Sequence, residues 1–136
     1  MRMIVIILSL MIFSVAAKIE RNISCFASKN NKIKLKYVVI YDDGTALGYV
    51  KYSKSISSVP LVFISKTEGE VEGGRPVERI LTWLEVIDGK LNGKYEVMSQ
   101  GARYYSFIYK GSSGNGFSFN EDVDAYNTDR DDCIWK

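Results

Sequence analysis

The stretch SQGARYYSFIYKGSSGNGFSF, residues 99–119, alternates large side chains with small or polar ones, breaks at a run of glycines and serines, and then alternates again. A period of two is typical of strands that bury one face, and the glycine-rich interruption indicates a turn. The pattern places Tyr105, Phe107 and Tyr109 on one face of the first strand, and the two phenylalanines after the interruption continue it. These residues therefore predict consecutive antiparallel strands whose aromatic rings pack together in a core.

The same period of two recurs along most of the chain. Further strands are predicted at residues 32–42, 46–53, 60–65, 78–87 and 94–100. Asp43-Gly44, Asp88-Gly89 and Asn92-Gly93 are dipeptides that favour tight hairpin turns. A short helix competes at residues 78–87, but apolar side chains on both faces suit a central strand. Seven or eight short strands predict an all-β fold, either a small antiparallel barrel or a sandwich with meander connections.

The N-terminal residues 1–17, MRMIVIILSLMIFSVAA, combine an early cation at Arg2 with an apolar run and a small-residue end. This is the pattern of a secretory signal peptide cleaved before Lys18, and the apolar run is shorter than the roughly 20 residues that span a bilayer. We therefore expect a single antiparallel β domain at residues 18–136. We also expect a periplasmic or secreted location, with no membrane association after cleavage.

The chain has two cysteines, Cys25 near the predicted mature N-terminus and Cys133 near the end. In an oxidising compartment such a pair is expected to form a disulfide. A catalytic thiol would require a base, and the chain contains no histidine. The sequence therefore predicts a Cys25–Cys133 bond that ties the two ends of the domain together.

The composition argues against most enzymatic functions. Without histidine, serine triads and most zinc sites lose their usual base or ligand. The segment at residues 111–116 lies between strands and does not resemble a phosphate-binding loop. Asp122, Asp124 and Asp129 lack the glycine and terminal glutamate of an EF-hand loop. We expect no cofactor and no metal, and because the chain is nearly neutral, no nucleic-acid partner. The prediction is a binding protein and not an enzyme.

Two short motifs carry a family resemblance. GARY at residues 101–104 and YKG at residues 109–111, with one cysteine near each end, resemble the periplasmic and membrane-bound inhibitors of C-type lysozyme. In that family, small antiparallel barrels insert Ser-Gly-x-x-Tyr and Lys-Gly motifs into the lysozyme cleft, where they meet the catalytic carboxylates. The resemblance implies that Lys110 is the cationic contact. It implies that Gln100, which stands where the family has serine, is the hydrogen-bonding one, with Ser99 one place earlier.

The chemistry of the same region gives a partner hypothesis. An acidic cleft would accept charge-assisted hydrogen bonds from a protruding cation with neighbouring hydroxyl and amide groups. Gln100, Arg103, Tyr104 and Lys110 are the candidates, with Tyr104 and Lys110 expected on the outer face of their strand. The predicted function is therefore inhibition of a lysozyme-like, cell-wall-degrading enzyme by insertion of a loop into its cleft.

Two alternatives stay open from the sequence. The first is an immunity protein that binds a competitor's periplasmic toxin. The second is a ligand carrier of the small-barrel type, in which aromatic residues line a cavity instead of filling a core. Its expected lining residues are Tyr37, Tyr95, Tyr105 and Phe107.

Overall fold

Eight antiparallel strands follow one another around a closed barrel in meander order, and β8 returns to pair with β1. The computed structural model describes residues 19–42, 45–70 and 73–136. The strands are β1 (Glu20–Ser28), β2 (Lys34–Asp42), β3 (Thr45–Tyr52), β4 (Val59–Glu68), β5 (Glu78–Ile87), β6 (Lys90–Gln100), β7 (Arg103–Gly111) and β8 (Gly116–Glu121), followed by a short 3₁₀ helix (Val123–Ala125). The all-β prediction is confirmed, and the barrel is the correct choice of the two architectures.

Two sequence predictions fall outside the described residues. These are the signal peptide at residues 1–17 and the hairpin dipeptide Asp43-Gly44. Among the described residues, no helix has the length and apolar character needed to cross a membrane.

The core lies inside the barrel because the alternation of each strand directs one face inward. Phe107 is at its centre, with its ring centroid 4.6 Å from that of Phe26 and 5.4 Å from that of Tyr37. The buried core cluster comprises Phe26, Leu35, Tyr37, Val39, Val50, Leu61, Trp83, Tyr95, Val97, Phe107, Tyr109 and Phe119. Eight strands enclose an interior about as wide as such side chains, so rings contributed by opposite walls meet.

The two hairpin dipeptides near β6 have different structures. Asp88 and Gly89 both have positive φ, at 49° and 72°, as a type I′ turn between β5 and β6 requires. The prediction of a second turn at Asn92-Gly93 is wrong, because both residues lie within β6. Gly93 is buried beside Tyr109, and a Cβ at this position would lie 2.6 Å from the ring carbon Cζ. Here glycine makes room for an aromatic ring and does not form a turn.

A β-bulge in β7 corrects the predicted orientation of two tyrosines. Ser99 pairs with Tyr104 and Met98 with Ser106, so Tyr105 is an extra residue in the ladder. Tyr105, predicted to be internal, is 58% exposed. Tyr104, predicted to face outward, is half-buried and packs against the core.

The segment after β8 is fastened to β1 and β2. Cys25 and Cys133 form the predicted disulfide, with 5.7 Å between their Cα atoms. Lys36 on β2 forms an ion pair with Asp132 at 2.5 Å. These contacts cover Cys25, which is fully buried.

Candidate functional site

A cavity of about 880 Å³ opens at one end of the barrel, which we call the mouth. Its floor includes Trp83, Val39 and Val97, which are 0%, 3% and 1% exposed, so the volume lies above them. Its walls are formed mainly by Ala46, Phe63, Leu81, Ala102 and Tyr104, and its polar lining residues are Glu20, Asn22, Thr45, Lys66, Arg79 and Ser99. The cavity is thus apolar at depth and polar towards solvent, as small-molecule sites commonly are.

Cationic side chains line one side of the mouth. Lys66 Nζ and Arg79 Nε each lie 2.9 Å from the same oxygen, Oε1 of Glu68. The hydrogen bond from Lys66, together with the weaker effect of the one from Arg79, holds the pKa of the Glu68 carboxyl below its usual value. Ser99 pairs with Arg79 across β5 and β6, so its hydroxyl belongs to the same side of the mouth.

The acidic residue of the cavity lining lies on the other side. Glu20 is the first residue of β1, and β1 is four strands away from β5 in a ring of eight. These two strands therefore lie across the barrel from each other. The mouth is polarised, because the two cations on β4 and β5 outnumber the Glu68 carboxylate that binds both of them, whereas β1 contributes the Glu20 carboxylate.

Two buried polar atoms near the floor are unpaired. Among the described residues, the Tyr37 hydroxyl and Trp83 Nε1 have no hydrogen-bond partner, although both side chains are almost completely buried. Burial raises the pKa of Tyr37, and the approach of the Trp83 side chain to the hydroxyl lowers it, although the two groups do not have the geometry of a hydrogen bond. Buried polar groups are rarely left unsatisfied, and those that are commonly mark functional regions or strain.

The opposite end of the barrel is filled by a polar network that we call the tyrosine end: Glu85, Asn92, Tyr52, Tyr95 and Tyr109. The Glu85 carboxylate is 4% exposed. It accepts hydrogen bonds from the hydroxyls of Tyr95 at 2.7 Å and Tyr109 at 3.2 Å, and from the Asn92 amide. The Tyr52 and Tyr95 hydroxyls are 2.8 Å apart. The network closes this end, so the cavity has its opening at the mouth.

Four of the five predicted partner-binding residues lie at the mouth. Ser99 and Tyr104 line the cavity. Gln100 donates a hydrogen bond from Nε2 to the Pro76 carbonyl at 2.9 Å, and Arg103, its cross-strand partner, is exposed. Gln100 and Arg103 flank a two-residue turn whose first residue is a glycine with positive φ, as a type II′ turn requires.

The fifth residue, Lys110, lies elsewhere. It is exposed on the outer face of β7, with Nζ 3.4 Å from Glu96 Oε2. It lies seven positions after Arg103, or about 23 Å along an extended strand. The structure therefore does not bring Lys110 together with Gln100 and Arg103.

The aromatic residues expected to line a carrier's cavity occupy other positions. Tyr37, Tyr95 and Phe107 are fully buried in the core, and Tyr105 is on the outside. Trp83 and Arg79 were not predicted as site residues, although they belong to the same inward-facing alternation of β5. The available signal was the position of Arg79, a cation at the end of a row of side chains that face the barrel interior.

The acidic C-terminal segment is engaged in local contacts. Asn127 Oδ1 accepts hydrogen bonds from the backbone N–H groups of Asp131 and Asp132, and the Asp132 carboxylate forms an ion pair with Lys36. Within the described ranges, no group of three or more cysteine or acidic side chains is arranged to hold a metal ion.

Comparisons with known proteins assign no function to the site. No protein-family model, no curated protein and no solved structure matches the chain.

Proposed function

We propose that this protein binds a small, largely apolar molecule in the cavity at the mouth of its barrel. The observation that carries the proposal is a cavity of about 880 Å³ whose floor includes Trp83 and whose walls include the apolar side chains of Phe63 and Leu81. This volume lies in the range of roughly 300–1,000 Å³ common among ligand pockets.

The contrast with the rest of the interior supports the proposal. Protein interiors are normally packed to crystal-like density, and an eight-stranded barrel is narrow enough to be filled by its own side chains. The part of the barrel around Phe107 is filled in this way, with neighbouring ring centroids 4.6–5.7 Å apart. Near the mouth, the same inward-facing rows place the small residues Ala46 and Ser99, which leave space.

The test is to fill the cavity without changing the outside of the barrel. Ala46→Trp would place an indole in the cavity, whereas Leu47→Trp adds the same ring one residue later on β3, where the side chain is 58% exposed. A neutral, apolar fluorescent probe such as Nile red is titrated into both variants and the parent protein. We expect Ala46→Trp to abolish binding and Leu47→Trp to retain it.

Native mass spectrometry of the purified protein provides a second measurement. A bound molecule that is present in the parent protein and lost in Ala46→Trp would identify the natural ligand class. The proposal is wrong if the parent protein binds no apolar probe, or if both tryptophan variants bind it equally.

Lysozyme inhibition stays a prediction, and the exposed β6–β7 hairpin at the rim favours it as a second candidate. The hairpin presents Arg103 to solvent at the mouth, next to the half-buried Gln100. In an assay against a panel of muramidases, Arg103→Ala should relieve inhibition, while Lys110→Ala should not because it lies at the other end of β7. Unchanged rates with every muramidase would eliminate this candidate. The immunity-protein alternative predicts instead tight binding to a single cognate toxin.

A further inference from the structure

The polarised mouth indicates which end group the ligand carries. We propose that the cavity selects amphiphiles with one anionic head group, which Arg79, Lys66 and Ser99 bind at the mouth while the apolar tail lies over Trp83. This inference rests on the proposed function, because it names the chemical class of the molecule in that cavity.

The first argument is geometric. Lys66, Arg79 and Ser99 come from the neighbouring strands β4, β5 and β6, and all three line the cavity. Leu81 on β5 pairs with Lys66, and Arg79 pairs with Ser99, so the three polar residues are neighbours across three strands at the apolar wall. Two cations and a hydroxyl suit a carboxylate or a phosphate, which accepts several hydrogen bonds at once.

The second argument is that Arg79 has hydrogen-bond donors that are not used within the described part of the protein. Arg79 uses Nε to bind Glu68, and among the described residues its two terminal nitrogens make no hydrogen bond. Both cations share one oxygen of Glu68, so a single carboxylate serves two positive charges. An anionic head group would find free donors here and would compete with Glu68 for the cations.

The third argument is the distribution of charge across the mouth. Glu20, the acidic residue in the lining, belongs to β1 on the far side of the barrel. The β4–β5 side keeps a net charge of +1 after Glu68 is counted, so an anion is attracted to that side and repelled from the β1 side. The floor offers an apolar surface, which fixes the orientation with the head outward and the tail inward.

The experiment compares probes of equal chain length below their micelle-forming concentrations. Decanoate, decyl phosphate, decanol and decyltrimethylammonium are titrated while the fluorescence of Trp83 is followed in a Trp135→Phe background. We expect both anions to bind about tenfold or more tighter than decanol, and salt to weaken the binding of the anions but not of decanol.

Variants test the two cations and the competing carboxylate separately. Arg79→Gln and Lys66→Gln should each remove most of the preference for anions, whereas Glu68→Gln should increase it because the competing carboxylate is gone. Lys94→Gln is the matched control, because Lys94 pairs with Glu96 at 2.8 Å much as Lys66 pairs with Glu68, but on the outer face of the barrel. All four side chains are at least partly exposed, so their replacement is not expected to prevent folding.

The outcomes separate the two proposals. If decanol binds as tightly as both anions, and the variants have no effect, the head-group inference is wrong and the cavity proposal stands. If decanoate and decyl phosphate differ, the preferred one identifies the head group. If none of the four probes binds, both proposals are wrong.

Discussion

The two ends of the barrel treat buried polar groups in opposite ways. At the tyrosine end, Glu85 is surrounded by three hydrogen-bond donors that reach it from β6 and β7. Near the mouth, the Tyr37 hydroxyl and Trp83 Nε1 are equally buried but lack partners among the described residues. A fully satisfied buried network contributes rigidity, whereas unpaired buried groups cost stability. The difference indicates that one end of the fold serves stability and that the other end retains features that stability alone does not explain.

The largest effect is expected from a change that belongs to neither end. Replacing both cysteines, in C25A/C133A, opens a loop with a sequence separation of 108 residues and should cost about 4 kcal/mol of unfolding free energy. Urea denaturation under non-reducing conditions measures the loss. Because the bond joins β1 to the C-terminal segment, the cost of a substitution at the tyrosine end should be similar with and without it. A loss below about 1 kcal/mol would show that local contacts hold the segment in place without the bond.

At the tyrosine end, Tyr95→Phe should destabilise the protein by about 2–3 kcal/mol. The substitution removes the 2.7 Å hydrogen bond to the buried Glu85 carboxylate and the 2.8 Å contact with Tyr52. Chemical denaturation gives the value, and Tyr105→Phe is the control because that side chain is 58% exposed. Equal, small effects of both substitutions would remove the contrast between the two ends.

Alkaline pH should weaken the same end progressively. Burial, and then the charge of Glu85, raises the pKa of Tyr109 to about 12 from the model-compound value of 10.0. A folded-state pKa above the unfolded value favours the protonated form in the folded state. The stability that this hydroxyl contributes is therefore fully present below pH 10 and is lost as the pH rises towards 12.

The measurement is unfolding free energy as a function of pH in the parent protein and in Tyr109→Phe. The variant should lose less stability than the parent between pH 10 and 12. Burial and the hydrogen bond to Glu121 also raise the pKa of Tyr126 to about 12. Tyr126 lies outside the tyrosine end, but it titrates in the same pH range. Tyr126→Phe is therefore measured in parallel, and identical slopes in the parent and Tyr109→Phe would contradict the role assigned to Tyr109.

The fold was predictable because its signal is local. The period of two repeats in every strand, and Asp88-Gly89 supplies a hairpin turn of the expected type. The errors occur where a long-range contact overrides local preference. Position 93 is a glycine because the ring of Tyr109 fills the space that a Cβ would need, and not because the chain turns there. Tyr105 faces outward because the bulge shifts the register after Tyr104. Neither the Gly93–Tyr109 contact nor the bulge can be predicted from the local sequence around the residue that it affects.

The site was less predictable than the fold for a related reason. Alternation identifies which side chains face inward, but whether they meet or leave a cavity depends on the closure of all eight strands. The ligand-carrier alternative placed Tyr37 and Phe107 at a cavity wall, whereas both fill the core. Gln100 and Arg103 lie together because they flank one short turn, whereas Lys110, at the other end of β7, is far from both.

The smallest expected effect has the opposite sign and tests the mouth side of the contrast directly. Tyr37→Phe removes a buried hydroxyl that has no hydrogen-bond partner, while the ring keeps its contacts with Phe26 and Phe107. The unfolding free energy should stay constant or increase by up to about 1 kcal/mol, because no hydrogen bond is lost and the desolvation cost disappears. Comparison of the denaturation midpoints of Tyr37→Phe and Tyr95→Phe, two identical chemical changes in fully buried tyrosines, is the measurement. A loss in Tyr37→Phe comparable to that in Tyr95→Phe would mean that the Tyr37 hydroxyl is satisfied in solution, and the two ends would then differ in shape alone.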